Sequence, residues 1–468
     1  MVFASLAFLY LFLPLVLGLH WLLPRPARNL FLLIASLGFY AFGEGGFVLV
    51  LVLYLMANHL IGKAIARAAV PAVRRLLLVA GILGNLLPLL YFKYARFLIS
   101  GVLGLGGEAS WLQGIHLPIG ISFFAFQGIS YLVDIWRRDV EPEPSLIGFG
   151  LYKAFFPQLI AGPVVRYRDV AHEVTQRSLA LSDAVEGCRR FAMGLAKKVL
   201  VADVVAPLAD SAFAQASPSP AVAWVGVVAY ALQIYFDFSG YSDMAIGLGR
   251  LFGFRFRENF DHPYAAGSIR DFWRRWHISL STWFRDYLYI PLGGSRRGPA
   301  RVVLNLLLVF ALCGLWHGAN WTFVVWGIFH GLLLGGEHLL GDRLARVPAL
   351  ARHCYVILAV LIGWVLFRAD SLDHALRFLG SLAGCPAAAV AAAALPGMDL
   401  HVLPVLVVAV IGASGLPVRW WRQLAAGEGA YRQATLSICA NALTLAGIYL
   451  ATITLVSSRF SPFIYFRF

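Results

Sequence analysis

Stretches of about twenty mostly apolar residues recur from one end of this chain to the other, and a helix needs roughly that many to cross the ~30 Å hydrocarbon core of a bilayer. That recurrence limits the fold more than any other feature. Of the 468 residues, 60% are hydrophobic and 13% are charged, where soluble domains run at roughly 45–50% and about 25%. A water-soluble protein of this length has no interior large enough to hide so much apolar surface. The chain therefore reads as an all-α polytopic membrane protein, a single domain over residues 1–468 with no soluble module.

The runs fall at residues 3–23, 30–42, 47–61, 76–92, 148–160, 222–236, 302–315, 321–340, 356–367, 402–411 and 436–456. Two further segments are ambiguous. Residues 117–135 are apolar but carry Pro118, Gly120, Ser122, Gln127, Ser130 and Asp134. They suit a broken or re-entrant element, tolerated at depth only where protein or trapped water satisfies the backbone. Residues 181–201 are amphipathic, with Arg189, Arg190, Lys197 and Lys198 on polar positions, and are expected at the cytoplasmic interface. The span count is eleven or twelve. Three regions follow: N-terminal helices over 1–110, a core over 117–345, and C-terminal helices with an aromatic tail over 351–468.

A net charge of +14 would suggest nucleic acid in a soluble protein. Here it fits the bias of Lys and Arg toward cytoplasmic loops, and no nucleic-acid motif is present. Arg25 and Arg28, then Lys63, Arg67, Arg74 and Arg75, and finally Arg419, Arg422 and Arg432 mark cytoplasmic turns. The N-terminus is expected outside, on a retained first helix that lacks a basic leader. The five cysteines have no paired spacing and read as packing, not as disulfides or a metal site.

Two polar constellations interrupt this pattern. Residues 270–287 are basic and aromatic. At helical spacing Trp273, Trp276, His277, Leu280 and Phe284 share one face, while Arg270, Arg274 and Arg285 fall elsewhere. Together with Arg275, these guanidiniums suit an anionic, phosphorylated donor. Simple headgroup anchoring by Arg and Trp is the other reading. The second constellation, residues 313–321, joins two long apolar runs and puts His317 at membrane depth. An ionisable group there is costly and marks a functional candidate, and imidazole can move a proton near neutral pH. A hydrogen-bonded core histidine is the alternative. Gly314 and Gly318 leave room for a substrate or another backbone to approach. Cys313 and His317 lie four apart, as a nucleophile pair would, although a buried cysteine is more often packing. His330 and His338 are read as bonding locally or facing the interface sooner than binding a metal, and Asp237 and Asp243 as structural groups that cap helices beside a Ser-Gly break, with lining a cavity as the alternative.

The motif F-W-R-R-W-H-I-S-L-S-T-W-F-R-D-Y-L-Y-I-P-L-G-G at 272–294 and L-W-H-G-A-N-W-T-F-V-V-W-G at 315–327 resemble the membrane-bound O-acyltransferase (MBOAT) family. The likeness is greatest to its bacterial alginate O-acetyltransferase-like branch, which is also similar to the membrane acyltransferase of teichoic-acid D-alanylation. Y-F-D-F-S-G-Y-S-D at 235–243, I-S-F-F-A-F-Q at 121–127 and A-G-P-V-V-R-Y at 161–167 match the same branch. The resemblance implies the MBOAT fold, with spans and re-entrant helices around a funnel in the bacterial inner membrane. It implies His317 as principal catalytic residue and His277 in the second polar position. It implies acetyl-CoA as cytoplasmic donor substrate, no bound cofactor or metal, an exported polysaccharide as acceptor, and a periplasmic SGNH-type acetyltransferase as partner. On that basis His317 acts as general base, and His277 or a backbone N–H stabilises the oxyanion. The terminal F-I-Y-F-R-F resembles the aromatic tail of the one-helix partner in D-alanylation, so Tyr465 is a candidate acyl relay or, alternatively, an interfacial anchor. Transfer of another acyl group, such as D-alanyl from a carrier protein, is a competing reading. So are a transporter, which would show paired repeats, and a non-catalytic scaffold.

Overall fold

The computed structural model describes residues 2–104, 114–160, 162–385, 402–427 and 429–457. Among these every regular element is a helix. The chain divides into two compact units, Met1–Phe191 with Tyr241–Glu258, and Ala192–Gly240 with Asn259–Phe468.

The first unit holds α1 (Leu13–Leu22), α2 (Arg25–Glu44), α3 (Val48–Arg67), α4 (Pro71–Leu89), α5 (Ile121–Arg137), α6 (Leu146–Ala154), α7 (Tyr167–Thr175) and most of α8 (Leu181–Ala196). Prolines start α2 and α4, where a missing N–H costs nothing. Glycine 45, at φ +56°, ends α2.

The expected break in residues 117–135 is confined to its first few residues. Gly120 takes φ +82°, and a Cβ there would sit 2.6 Å from the Leu159 carbonyl oxygen. From Ile121 onward α5 is unbroken, because its polar positions meet protein. Gly128 faces Asn58, Asn85 and Lys153, and the Ser130 hydroxyl donates to the Gln127 carbonyl at 3.1 Å. Nearby, the Asn58 and Asn85 amides donate to each other at 3.1 and 2.9 Å. The Tyr54 hydroxyl donates to the Asn85 carbonyl at 2.7 Å, and the buried Lys153 ammonium to the Phe124 carbonyl at 2.7 Å. Interhelical polar contacts of this kind glue helices that hydrophobicity alone cannot hold together in lipid.

The second unit adds α9 (Asp203–Phe213), the larger part of α10 (Pro220–Leu251), α11 (Ile269–Arg275), α12 (Ile278–Phe284), α13 (Pro299–His317), α14 (Trp321–Leu340), α15 (Ala349–Arg368), α16 (Leu372–Leu382), α17 (Val402–Ala413), α18 (Leu416–Ala425) and α19 (Ala430–Ser457). The span expected to end at residue 236 instead runs through the whole Y-F-D-F-S-G-Y-S-D segment, giving α10 a length of 32 residues. Nothing breaks it at Ser239-Gly240, and both of its aspartates are paired. Asp237 pairs with Lys198 at 3.0 Å, and Lys198 also holds Asp203 at 2.8 Å. Gly240 admits the Gly194 carbonyl oxygen, 2.7 Å from where a Cβ would stand. In the first unit Asp243 pairs with Arg190 at 2.7 Å. The basic residues of 181–201 are thus partly spent on buried carboxylates.

Seven helices among the described residues are long and apolar enough to cross a membrane, or eight if α17 and α18, bent by 60°, form one span. This is fewer than the eleven or twelve counted from hydropathy. Residues 30–42 and 47–61 fall in one apolar stretch of 43 residues, Arg25–Arg67. Residues 3–23 yield only the short apolar helix Phe8–Leu22. Residues 148–160 form the nine-residue α6 and a shorter turn.

Candidate functional site

His317 is the last residue of α13, and only Gly318, Ala319 and Asn320 separate it from α14. The Gly318 N–H returns to the Gly314 carbonyl at 3.3 Å. The Asn320 side chain caps α14 by accepting the Thr322 N–H at 3.1 Å, and its amide donates to the Asp370 carbonyl at 3.0 Å.

Glycines set how closely the two helices approach. A Cβ on Gly314 would lie 2.1 Å from the Phe323 carbonyl oxygen, and one on Gly327 2.1 Å from that of Phe310. Gly331 faces Leu307 at 3.0 Å and Gly335 faces Val303 at 3.1 Å. The space expected beside Gly314 and Gly318 is therefore filled by Phe323, whose ring stands 2.1 Å from a Cβ at Gly318. It admits protein, not substrate.

The His317 ring is buried, with edge-on aromatic neighbours. Trp316, Trp326 and Phe367 have ring centroids 4.8, 5.2 and 5.1 Å away.

His277 sits in the link between α11 and α12 in the left-handed region, φ +45° and ψ +55°. Its Nδ1 lies 3.1 Å from the Asn259 Oδ1. That oxygen also accepts the Ser279 N–H at 3.2 Å and the Ser279 hydroxyl at 2.8 Å. An oxygen so placed is an acceptor, which assigns the proton of neutral His277 to Nδ1. Nε2 then presents a bare lone pair, buried and without a hydrogen-bond partner among the described residues. Burial pushes the imidazole down to about 3, so it stays neutral at physiological pH. In this tautomer Nε2 accepts a hydrogen bond and has no proton to give, which does not fit the donor role expected of His277 toward an oxyanion. The Trp316 ring neighbours both candidates, with its centroid 6.4 Å from that of His277 and 4.8 Å from that of His317.

The helix α14 also holds the basic segment. The buried Glu337 carboxylate accepts the Ile269 and Arg270 N–H groups at 2.6 and 3.0 Å, anchoring the start of α11. The Trp273 indole donates to His330 Nδ1 at 3.4 Å, giving that histidine its local partner. Arg270, Arg274 and Arg285 line a cavity of about 510 Å³ whose walls include Trp273, Phe310 and Cys313. Cys313 is one turn before His317, about 6 Å along the helix. Arg275 is not among the lining residues; it pairs with Asp271 at 2.9 Å and with Asp261 at 3.8 Å. Tyr465 lies outside the described residues.

Asn259, Glu337 and the Trp326–Phe367 pair escaped the sequence reading. Asn259 lies 18 residues before His277 and Glu337 is 68 residues from Ile269, distances at which no local pattern links them.

Comparison with known proteins places this geometry. The profile of the membrane-bound O-acyltransferase family matches residues 121–370, a range that includes both histidines and the arginine-lined cavity. A protein of Azotobacter vinelandii, "Probable alginate O-acetylase AlgI", is 48% identical over 390 residues, covering 82% of this chain and 78% of its own length. The protein of the same name in Pseudomonas aeruginosa is 48% identical over 384 residues, covering 81% and 74%. A peptidoglycan O-acetyltransferase of Helicobacter pylori is 34% identical over 421 residues, covering 82% and 80%. With seven helices among the described residues long and apolar enough to cross a membrane, and with bacterial relatives, this is a multi-pass bacterial membrane protein and an O-acyltransferase, and the chain belongs to the membrane-bound O-acyltransferase family.

Proposed function

We propose that the protein moves an acetyl group from cytoplasmic acetyl-CoA to an acceptor reached from the other side of the membrane, for O-acetylation of an exported polysaccharide. The relatives named for alginate and for peptidoglycan support an acetyl group and a polymer of sugars. The single structural observation that carries the donor is the cavity fringed by Arg270, Arg274 and Arg285 and reaching Cys313, one turn from His317. Guanidiniums bind phosphate oxygens in a fixed fork geometry, and apolar walls suit the thin arm of a thioester.

In this reading His317 takes the proton of the acceptor hydroxyl as its oxygen attacks the thioester carbonyl. The tetrahedral intermediate collapses, the carbon–sulfur bond breaks, and the leaving thiolate takes the proton back from His317. His277 stays neutral and offers its bare Nε2 as a hydrogen-bond acceptor that orients a hydroxyl group. In the relay form of this reading the first acceptor hydroxyl is the Tyr465 phenol; a hydroxyl of the separate periplasmic SGNH-type acetyltransferase partner then attacks the resulting phenyl ester, the ester C–O bond breaks, and the phenol regains its proton.

His317→Ala lowers acetyl transfer from labelled acetyl-CoA on the order of 10²–10⁴-fold with insertion and expression unchanged. Persistent activity removes the catalytic assignment. Arg274→Ala raises the KM for acetyl-CoA about tenfold while kcat holds, the loss of one charge-assisted contact. Unchanged exported acetylation in Tyr465→Phe removes the relay, and failure of an SGNH-type protein to co-purify removes the partner.

A further inference from the structure

The first unit contains a second basic cavity, of about 760 Å³, that the acyl transfer does not use. Five arginines line it, Arg25, Arg28, Arg177, Arg250 and Arg255, against two carboxylates, Glu173 and Asp183. Part of this charge is neutralised. Arg255 pairs with Asp183 at 3.2 Å, and Arg250 pairs with Glu186. Among the described residues Arg28 donates to the backbone carbonyls of Leu23 and Trp21, at 3.0 and 3.3 Å, and makes no ion pair. Arg25, at the start of α2, has no ion pair among the described residues.

Arg177 is the least satisfied member. One nitrogen donates to the Asn29 Oδ1 at 2.5 Å and the guanidinium stacks on Phe254 at 4.9 Å. Its Nε and the other terminal nitrogen are buried and have no partner among the described residues. Burial and the neighbouring Arg28 push this guanidinium down to about 10, the direction expected of cations crowded together without an anion. A buried donor left unmade costs far more than one that is paired.

The surroundings narrow the ligand further. Trp21 and Leu22 end α1, Leu30 lies on α2 and Leu181 begins α8; all four are exposed, Leu22 at 83% and Leu181 at 74%. The Arg25–Arg28 turn is on the side that the charge bias assigns to the cytoplasm. Cationic groups in a concave site beside an exposed apolar rim fit an anionic head carried at a lipid surface.

We infer that this cavity is a binding site for a phosphate-bearing anion, held by Arg25, Arg28 and Arg177. The ligand chemistry is a phosphate mono- or diester, supplied either by the headgroup of an anionic phospholipid or by a soluble phosphorylated compound. The site is independent of the acetyl-transfer reading, since its evidence lies in other residues and its test reads binding alone.

Full-length protein in an uncharged detergent is titrated with phosphatidylglycerol in mixed micelles, with phosphatidylcholine as the zwitterionic reference, and separately with ADP. Binding is followed by Tm and by native mass spectrometry. At least one anionic probe raises the wild-type Tm saturably, and phosphatidylcholine does not. Arg177→Gln weakens that binding about tenfold. Arg25→Gln, an exposed change at the cavity mouth that leaves folding intact, weakens it several-fold. A response to phosphatidylglycerol alone assigns the headgroup; a response to ADP at similar concentration assigns a soluble compound. No response to either, or equal affinity in Arg25→Gln and wild type, overturns the inference.

Discussion

A backbone at φ +45° is an uncommon place for a histidine, and Asn259 is what holds His277 there. The two act as a unit, because the amide oxygen that fixes the tautomer also ties down Ser279. Asn259→Ala is expected to lower kcat by about 10–100-fold with little change in KM, the usual size of an effect on an orienting partner. Steady-state kinetics with acetyl-CoA check this. The same histidine leaves a signature in stability. Its ordinary value is 6.5 and burial lowers it to about 3. The unfolded chain therefore binds a proton that the folded protein refuses, and stability present above pH 6.5 is lost as the pH falls toward 3. His277→Gln removes that contribution, so its Tm in detergent falls less steeply than that of the wild type between pH 6.5 and 4.

At the scale of elements, the α13–α14 hairpin depends on absent side chains. Gly327→Ala drives a methyl to 2.1 Å from the Phe310 carbonyl oxygen. Backbone cannot yield as a flexible side chain can, so a loss of at least 1–3 kcal/mol is expected, together with loss of activity as His317 moves. Gly336→Ala, on the same helix with nothing within 4 Å, is expected to be neutral or stabilising by up to about 1 kcal/mol. Thermal melting of the purified variants separates the two. The small residues here were visible in the sequence, but their neighbours were not; room beside Gly318 reads the same whether a ligand or Phe323 fills it. The polar positions of α5 and α10 teach the same lesson. Hydropathy registers Asp237 as an interruption, and only the fold brings Lys198 to 3.0 Å. What was legible were the motifs bearing His277, His317 and the arginines, because each is contiguous in the chain.

For the molecule as a whole, orientation rests on where the positive charges lie. A cysteine placed at Arg28 or at Arg419 is expected to escape a membrane-impermeant maleimide in intact spheroplasts and to react after permeabilisation; labelling of either in intact cells reverses the topology assigned to that turn. Hydropathy recovered the class of protein but counted apolar runs that do not each make a long helix: 30–42 and 47–61 fall in one stretch, and 3–23 and 148–160 give short helices. One consequence concerns the order in which the chain is made. The reciprocal amides of Asn58 and Asn85 belong to consecutive helices, α3 and α4. Each finds its partner as soon as the second helix leaves the ribosome. Lys153, which completes the cluster, follows 68 residues after Asn85, about 3–14 seconds later at ordinary speeds of synthesis. During that interval the pair shields two polar groups that would otherwise face lipid alone, so the nascent protein carries a finished joint in the bilayer before its centre has been translated.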